Sequence, residues 1–392
     1  MKGNRRRETR IVHVGSHPEK FLGAMNPPVY RASTVVFPSV AAMREAGKNR
    51  FDVTYYGRHG TPTSFALEEA MADLEDGYRS VAVCSGLAAI TVALMAFVKS
   101  GDHVLMADTV YDPSRRVAQF LETCGVETTF YDPMIGPGLE DLVKPNTKVV
   151  FAESPGSLTF EVQDIPAIAR VAHAHGAKLL LDNTWAAGYF FKPFDHGVDV
   201  SIQAATKYIA GHADVMIGLV TAKTEEDWRA VKTQSAIMGY CAGPDECYLT
   251  LRGLKTLDVR MQRHQETGLK LAHWLAARPE VASVLHPALP SCPGHETWKR
   301  DFTGSSGLFS IVLKDVAPSR VEAMLDGMDI FAMGFSWGGF ESLMIPANPT
   351  TIRTATKWHT TGPLLRLHAG QEDPDDLIAD LESGFARLNG GA

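Results

Sequence analysis

The sequence predicts an α/β protein with a mostly parallel sheet and a smaller α/β unit at its C-terminal end. Two observations carry this. From about residue 61 to 250, apolar runs of strand length alternate with amphipathic stretches of helix length; the runs are Val81 to Cys84, Val104 to Ala107, Thr128 to Tyr131, Val149 to Ala152, Leu179 to Leu181 and Val215 to Ala222. Within that stretch the charge-free run Ser80 to Val98 divides at Gly86 into a short strand, a tight turn and an apolar helix from Leu87, which is how an α/β unit reverses.

Taken in order, residues 1 to 60 place Pro27-Pro28, Pro38, Gly47 and Gly57 among short apolar stretches. They read as an irregular arm with one small helix near Val40 to Ala46, too poor in apolar residues to fold by itself. Residues 61 to 253 form the main unit. There Pro166 to His175 is a surface helix, with proline near its start and Gly176 just past its end. A long helical stretch from Asp245 to Ala277 leads into the C-terminal unit, 254 to 392, where strands at Gly307 to Leu313 and Leu364 to His368 accompany helices at Pro318 to Leu325 and Asp375 to Leu388.

Composition excludes several classes. A chain of 392 residues that is 45% hydrophobic has ample core. Its net charge of -7 comes without long charged blocks, so nucleic acid is not an expected partner; Arg5-Arg6-Arg7 reads as a solvated terminal segment. Five scattered cysteines without a C-x-x-C pair fit reduced thiols. The run Ser80 to Val98 has the length of a membrane span, but Ser85-Gly86 breaks it and charges flank it, so no membrane association is expected. With only Ile11 to Val14 as an apolar stretch near the N-terminus, the expected location is cytoplasmic. His173 and His175, two apart on a helix, point to different sides, and no metal is expected.

The chemistry lies in an ordered pair. Asp182 ends the run Lys178 to Leu181, and Lys207 follows about one helix-and-strand unit later in Ala204-Ala205-Thr206-Lys207-Tyr208. A lysine can form an imine with the aldehyde of pyridoxal phosphate, and a carboxylate upstream can keep the pyridine nitrogen protonated, so that the ring accepts carbanion electrons. Alone the pair is weak, because lysines after small residues are mostly solvated. Corroboration comes from the turn at Gly86 and Leu87, whose amides open a helix and lack intrahelical acceptors, a ready cup for a phosphate. Cup, Tyr111, Asp182 and Lys207 each fall near the C-terminal end of an expected strand, where ligands of open α/β sheets bind.

Asn26-Pro27-Pro28-Val29-Tyr30, Tyr56-Gly57-Arg58, Gln203 to Tyr208, Gly304 to Phe309 and Leu365-Arg366-Leu367-His368 together resemble the trans-sulfuration family of pyridoxal phosphate enzymes, over nearly the whole chain. Tyr111-Asp112-Pro113-Ser114, Asp182 to Gly188 and Ser336-Trp337-Gly338-Gly339 resemble its β-acting branch more than its γ-acting ones.

The resemblance implies the fold type I architecture of aspartate aminotransferase and pyridoxal 5'-phosphate as cofactor. It implies Lys207 as the cofactor-bearing residue and general base, Asp182 on the pyridine nitrogen, Tyr111 stacked on the ring, and Thr206, Gly86 and Leu87 on the phosphate. Tyr56 and Arg58 would reach that phosphate from a neighbouring subunit of a homotetramer, a dimer of dimers. Arg366, with Ser336 and Trp337, would bind the substrate carboxylate. The implied reaction is β-elimination from L-cystathionine to homocysteine, pyruvate and ammonia. Where relatives often carry tyrosines this chain has Ala236 and Phe335, with Tyr240 four residues beyond the first; the less polar pocket makes cystine or another cysteine conjugate an equal candidate substrate. Rival readings are γ-elimination or racemisation on the same scaffold, and a non-catalytic cofactor-binding regulator.

Overall fold

In the computed structural model, which describes residues 5–359 and 362–391, the apolar runs assemble into one seven-stranded sheet. Its strands are β1 (Arg79–Val83), β2 (His103–Ala107), β3 (Glu127–Tyr131), β4 (Thr147–Glu153), β5 (Lys178–Asp182), β6 (Val200–Gln203) and β7 (Gly218–Ala222). The spatial order is β1-β7-β6-β5-β4-β2-β3. The pairs β6/β5, β5/β4, β4/β2 and β2/β3 are parallel, and β7 runs antiparallel to both β1 and β6. β2, β6 and β7 are buried along their whole length. That is why they read as continuous apolar runs, not as alternation: helices cover both faces.

Two details differ from the sequence reading. β6, which links Asp182 to the Lys207 segment, is reached from β5 without an α-helix. The connection is a string of turns and a short 3-10 turn at Pro193–His196, because Ala187 and Gly188 adopt left-handed backbone angles (φ 56 and 64) that stop a helical run. Along it Trp185, Tyr189, Phe190 and Phe191 are buried. The expected helix from Asp245 to Ala277 is two helices, Pro244–Leu254 and Leu257–Ala276. At the break, Gly253 lies so close to the Ala210 carbonyl that a Cβ would sit 2.2 Å from its oxygen. Buried Arg260 takes up the Gly253 carbonyl at 2.8 Å together with those of Tyr208 (2.5 Å) and Ile209 (3.1 Å), so the helix junction anchors the segment that follows Lys207.

A second sheet of four strands, β8 (Val281–Leu285), β9 (Leu308–Leu313), β10 (Leu343–Ala347) and β11 (Leu364–His368), has the order β10-β11-β9-β8 and is antiparallel throughout. It has its own apolar cluster, with Phe309, Ile311, Leu365 and Leu367 packed against Leu377, Leu381 and Phe385 of the C-terminal helix Pro374–Leu388. The segment before β11 is tied to the large sheet by a buried carboxylate. Asp108, just past β2, accepts the backbone amides of Thr354, Ala355 and Thr356 and the guanidinium of Arg115. Burial raises its pKa, but these donors outweigh burial and hold it below the usual carboxylate range.

Candidate functional site

Each parallel strand ends at one edge of the large sheet, and the residue types singled out in the sequence follow those ends. β1 runs into Ser85 and the helix Gly86–Met95. The Ser85 side chain accepts the Ala88 amide at 3.1 Å and its carbonyl the Ala89 amide at 3.0 Å. The amides of Gly86 and Leu87 are left without an acceptor among the described residues, at the positive end of the helix. Glycine is required at 86, since a Cβ would lie 2.5 Å from that of Ala204.

Lys207 follows β6. Its Nζ donates to Ser336 Oγ at 2.5 Å and lies 5.2 Å from the ring centre of Trp337. Burial, and then the nearby Arg366 guanidinium, lowers its pKa to about 8 against the pull of Asp182. Ser336 belongs to the loop before β10, where it has φ 88, and its carbonyl accepts from Arg366 Nη2 at 3.0 Å. Arg366, on β11, is lowered by burial to about 10. Gly338 also has positive φ and presses on the backbone of Lys207 and Tyr208; a Cβ there would sit 2.7 Å from the Tyr208 nitrogen. The end of β6, the middle of β11 and one strained loop thus bring Lys207, Ser336, Trp337 and Arg366 together.

Asp182 closes the other side. Its Oδ1 accepts the amide and the hydroxyl of Thr184 at 3.0 and 2.5 Å, and Oδ2 has no partner among the described residues. Its register neighbour at the end of β4 is Glu153, which the sequence reading passed over although it ends a charge-free run as Asp182 does. Glu153 accepts the Tyr111 amide at 2.7 Å. Burial and the charge of Asp182 push Glu153 well above the usual carboxylate range. Asp182 is raised by burial too, opposed by its Thr184 bonds and by Lys207. Both carboxyls are therefore raised, Glu153 the further, and Asp182 is the one with donors and a cation beside it that favour its ionised form. Tyr111 is half exposed, and burial, with Glu153 next, raises its pKa.

Other expected members stand differently. The Thr206 hydroxyl donates to the Ile217 carbonyl at 3.2 Å and accepts the Ile217 amide at 2.9 Å, so its one proton is committed within its own loop. Ser85, whose hydroxyl proton has no acceptor among the described residues, is the better placed donor beside Gly86 and Leu87. Tyr56 and Arg58 lie on the exposed arm, and Arg58 donates to the Ala236 carbonyl at 2.5 Å. Among the described residues, neither is hydrogen-bonded to Lys207 or Gly86 within the one chain. Phe335 is 90% exposed, and Tyr240 is tied by its backbone to Ser235 at the end of the helix Glu225–Met238.

A family model described as Cys/Met metabolism PLP-dependent enzyme matches residues 8–386. The chain belongs to this family. As a member of the Cys/Met metabolism family it is a pyridoxal phosphate-dependent enzyme of fold type I, as the resemblance implied. It is similar to cystathionine beta-lyase MetC of Escherichia coli, 47% identical over 97% of this chain and 98% of the relative. It is also similar to the L-alanine/L-glutamate racemase of Wolbachia pipientis, 40% identical over 97% of each chain. Among solved structures of the family, cystathionine gamma synthase from Xanthomonas oryzae pv. oryzae superposes with a TM-score of 0.90 at 30% identity, covering 100% of both chains.

Proposed function

We propose that the chain is a carbon-sulfur β-lyase that cleaves L-cystathionine to homocysteine, pyruvate and ammonia, with cystine or other cysteine S-conjugates as further substrates. One observation carries the reading: the partly buried Lys207, its pKa lowered to about 8 by burial and Arg366 against the pull of Asp182, bonds to Ser336, whose carbonyl Arg366 holds, at the carboxyl edge of the sheet.

The donor set fits pyridoxal phosphate. The free amides of Gly86 and Leu87 and the hydroxyl of Ser85 suit the phosphate, Lys207 the aldehyde, the free Oδ2 of Asp182 the pyridine nitrogen, and Tyr111 a ring face. When bound, the cofactor supplies the sink for the electrons left at the substrate Cα. Arg366 holds the substrate carboxylate by its fork geometry. Lys207, with a pKa near neutrality, takes the Cα proton in its neutral form and returns a proton afterwards. Asp182, whose ionised form is favoured by Thr184 and Lys207, would hold the pyridine nitrogen. Trp337 narrows the space beside Lys207 and so favours a pose with sulfur on Cβ, where the Cβ–S bond breaks and the thiol departs. γ-Elimination asks in addition for a base that reaches Cβ.

The proposal includes the three-part division of the chain at 1–60, 61–253 and 254–392, a cytoplasmic location and a homotetramer whose arms cross between subunits. Leu22, Met25, Val36, Val40, Met43 and Tyr56 of the arm are exposed apolar or aromatic residues on the single chain, which a neighbouring subunit would cover. The racemase relative keeps D-amino acid formation as a second reading. The deciding measurement is product identification. Pyruvate with homocysteine from L-cystathionine supports the β-lyase; 2-oxobutyrate with cysteine overturns it in favour of γ-elimination, and D-alanine from L-alanine without pyruvate overturns it in favour of racemisation. Purified chain with no absorbance from bound cofactor would point to a protein without this chemistry.

A further inference from the structure

Arg366 and His368 are two apart on β11, so their side chains leave the same face of the strand. Arg366 meets the loop before β10 at the Ser336 carbonyl, 3.0 Å away. His368 meets the same loop two residues on, where its Nε2 is 3.0 Å from the Gly338 amide nitrogen. Its Nδ1 is 3.1 Å from the Glu341 carbonyl oxygen. A backbone amide can only donate and a carbonyl can only accept, so the two contacts determine the ring state: Nδ1 carries the proton and Nε2 offers its lone pair. A doubly protonated ring would lose the Gly338 bond.

The ring is almost wholly buried at 1% exposure, among Tyr208 (5.8 Å between ring centres) and His264 (5.2 Å). Tyr208 packs in turn on Trp337 at 5.3 Å. The charged and titratable groups around it are His264, Arg366 and Lys207, all of which disfavour a second proton on the ring, as burial does. What the ring holds is strained. Ser336 is a non-glycine residue at φ 88 and Gly338 follows at φ 85. A loop in such a conformation persists only where its surroundings over-determine it. Arg366 fixes one end, the Lys207-Tyr208 backbone limits the space, and His368 supplies the acceptor for the one amide that closes the turn.

We propose that His368 is a positioning residue for the substrate carboxylate site: its fixed neutral tautomer holds the Gly338 amide and keeps Ser336 and Trp337 where Arg366 and Lys207 engage them. This rests on the reading of Arg366 as the carboxylate clamp. His368 touches neither substrate nor cofactor and acts through the loop.

The test uses the holoenzyme with glycine, an amino acid that has no leaving group, as the binding probe in titration calorimetry, alongside kcat and KM for L-cystathionine and the thermal midpoint. Glutamine at 368 places a carbonyl oxygen near the Nε2 position, phenylalanine places none, and asparagine reaches only the Glu341 side. His368→Phe and His368→Asn are expected to raise the glycine Kd and the KM about tenfold or more, the cost of an unpaired buried donor and a relaxed loop, with kcat changed much less. His368→Gln is expected to recover to within about threefold of the parent. If His368→Phe fails to fold, the Asn and Gln pair gives the same comparison. Arg366→Ala separates the two readings. Glycine binding unaffected by Arg366→Ala overturns the clamp; binding weakened by Arg366→Ala but equal in the parent, Asn and Phe forms, or no better in Gln than in Asn, overturns the role of His368 alone.

Discussion

Lys207 Nζ donates to Ser336 Oγ at 2.5 Å, a contact that joins the loop after β6 of the large sheet to the loop before β10 of the small one. The residue proposed to move the proton is therefore positioned from two parts of the chain at once. Lys207→Ala should leave a folded, soluble protein whose turnover of L-cystathionine falls by about 10³-fold or more, the range for loss of a general base that also carries the cofactor. An active Lys207→Ala enzyme in a steady-state assay would sink the assignment.

The same burial has a stability signature. The Lys207 amine is protonated below about 8 in the fold but below 10.5 in a free lysine. Between these values the unfolded chain binds more protons, so stability rises with pH; what the neutral amine contributes is complete above 10.5 and lost as pH falls through 8. Cofactor-free Lys207→Met protein should thus be more stable than the cofactor-free parent at pH 7, by about 2–3 kcal/mol at most, with the gap closing toward pH 10.5. Urea unfolding at the two pH values checks this, and a gap that widens with pH contradicts it.

Asp182 and Glu153 should respond unequally to neutralisation. Because Thr184 and Lys207 favour the ionised form of Asp182 while burial and Asp182 push Glu153 the further up, Asp182→Asn is expected to cost about 10²-fold in kcat and Glu153→Gln about tenfold less than that. Absorbance titration of the bound cofactor adds an independent measure. Equal losses in the two variants would show that the charge is shared.

Arg58 donates to Ala236 in its own chain and lies on an exposed arm. If the arm completes a neighbour's site, mixing inactive Arg58→Ala with inactive Lys207→Ala subunits should restore roughly a quarter of the parent activity, the share of intact sites that random pairing yields. No recovery in oligomers verified as mixed would mean that the arm serves its own subunit.

What the sequence by itself determined is local. Apolar runs of strand length foretold five of the six parallel-direction strands, β1 to β5, because buried strands have no polar face to interrupt the run. The turn at Gly86, the carboxylate closing β5 and the lysine after small residues could each be read for the same reason: each marks the end of an element, and element ends at one edge of a sheet are where ligands gather. Motif resemblance added Arg366 and the Ser336-Trp337 loop, which no periodicity would reveal.

Tertiary structure alone decided which atoms remain available. That Thr206 has committed its proton to Ile217 while Ser85 has not depends on how the loop after Lys207 folds back at residue 217. The pairing of Glu153 with Asp182 follows from strand register, and the neutral state of His368 from two backbone groups 30 and 27 residues away. Hydrogen-bond partners and burial are set by long-range packing, so a sequence can nominate a polar residue for a site, but only the fold shows whether its donor, lone pair or charge is still free to act.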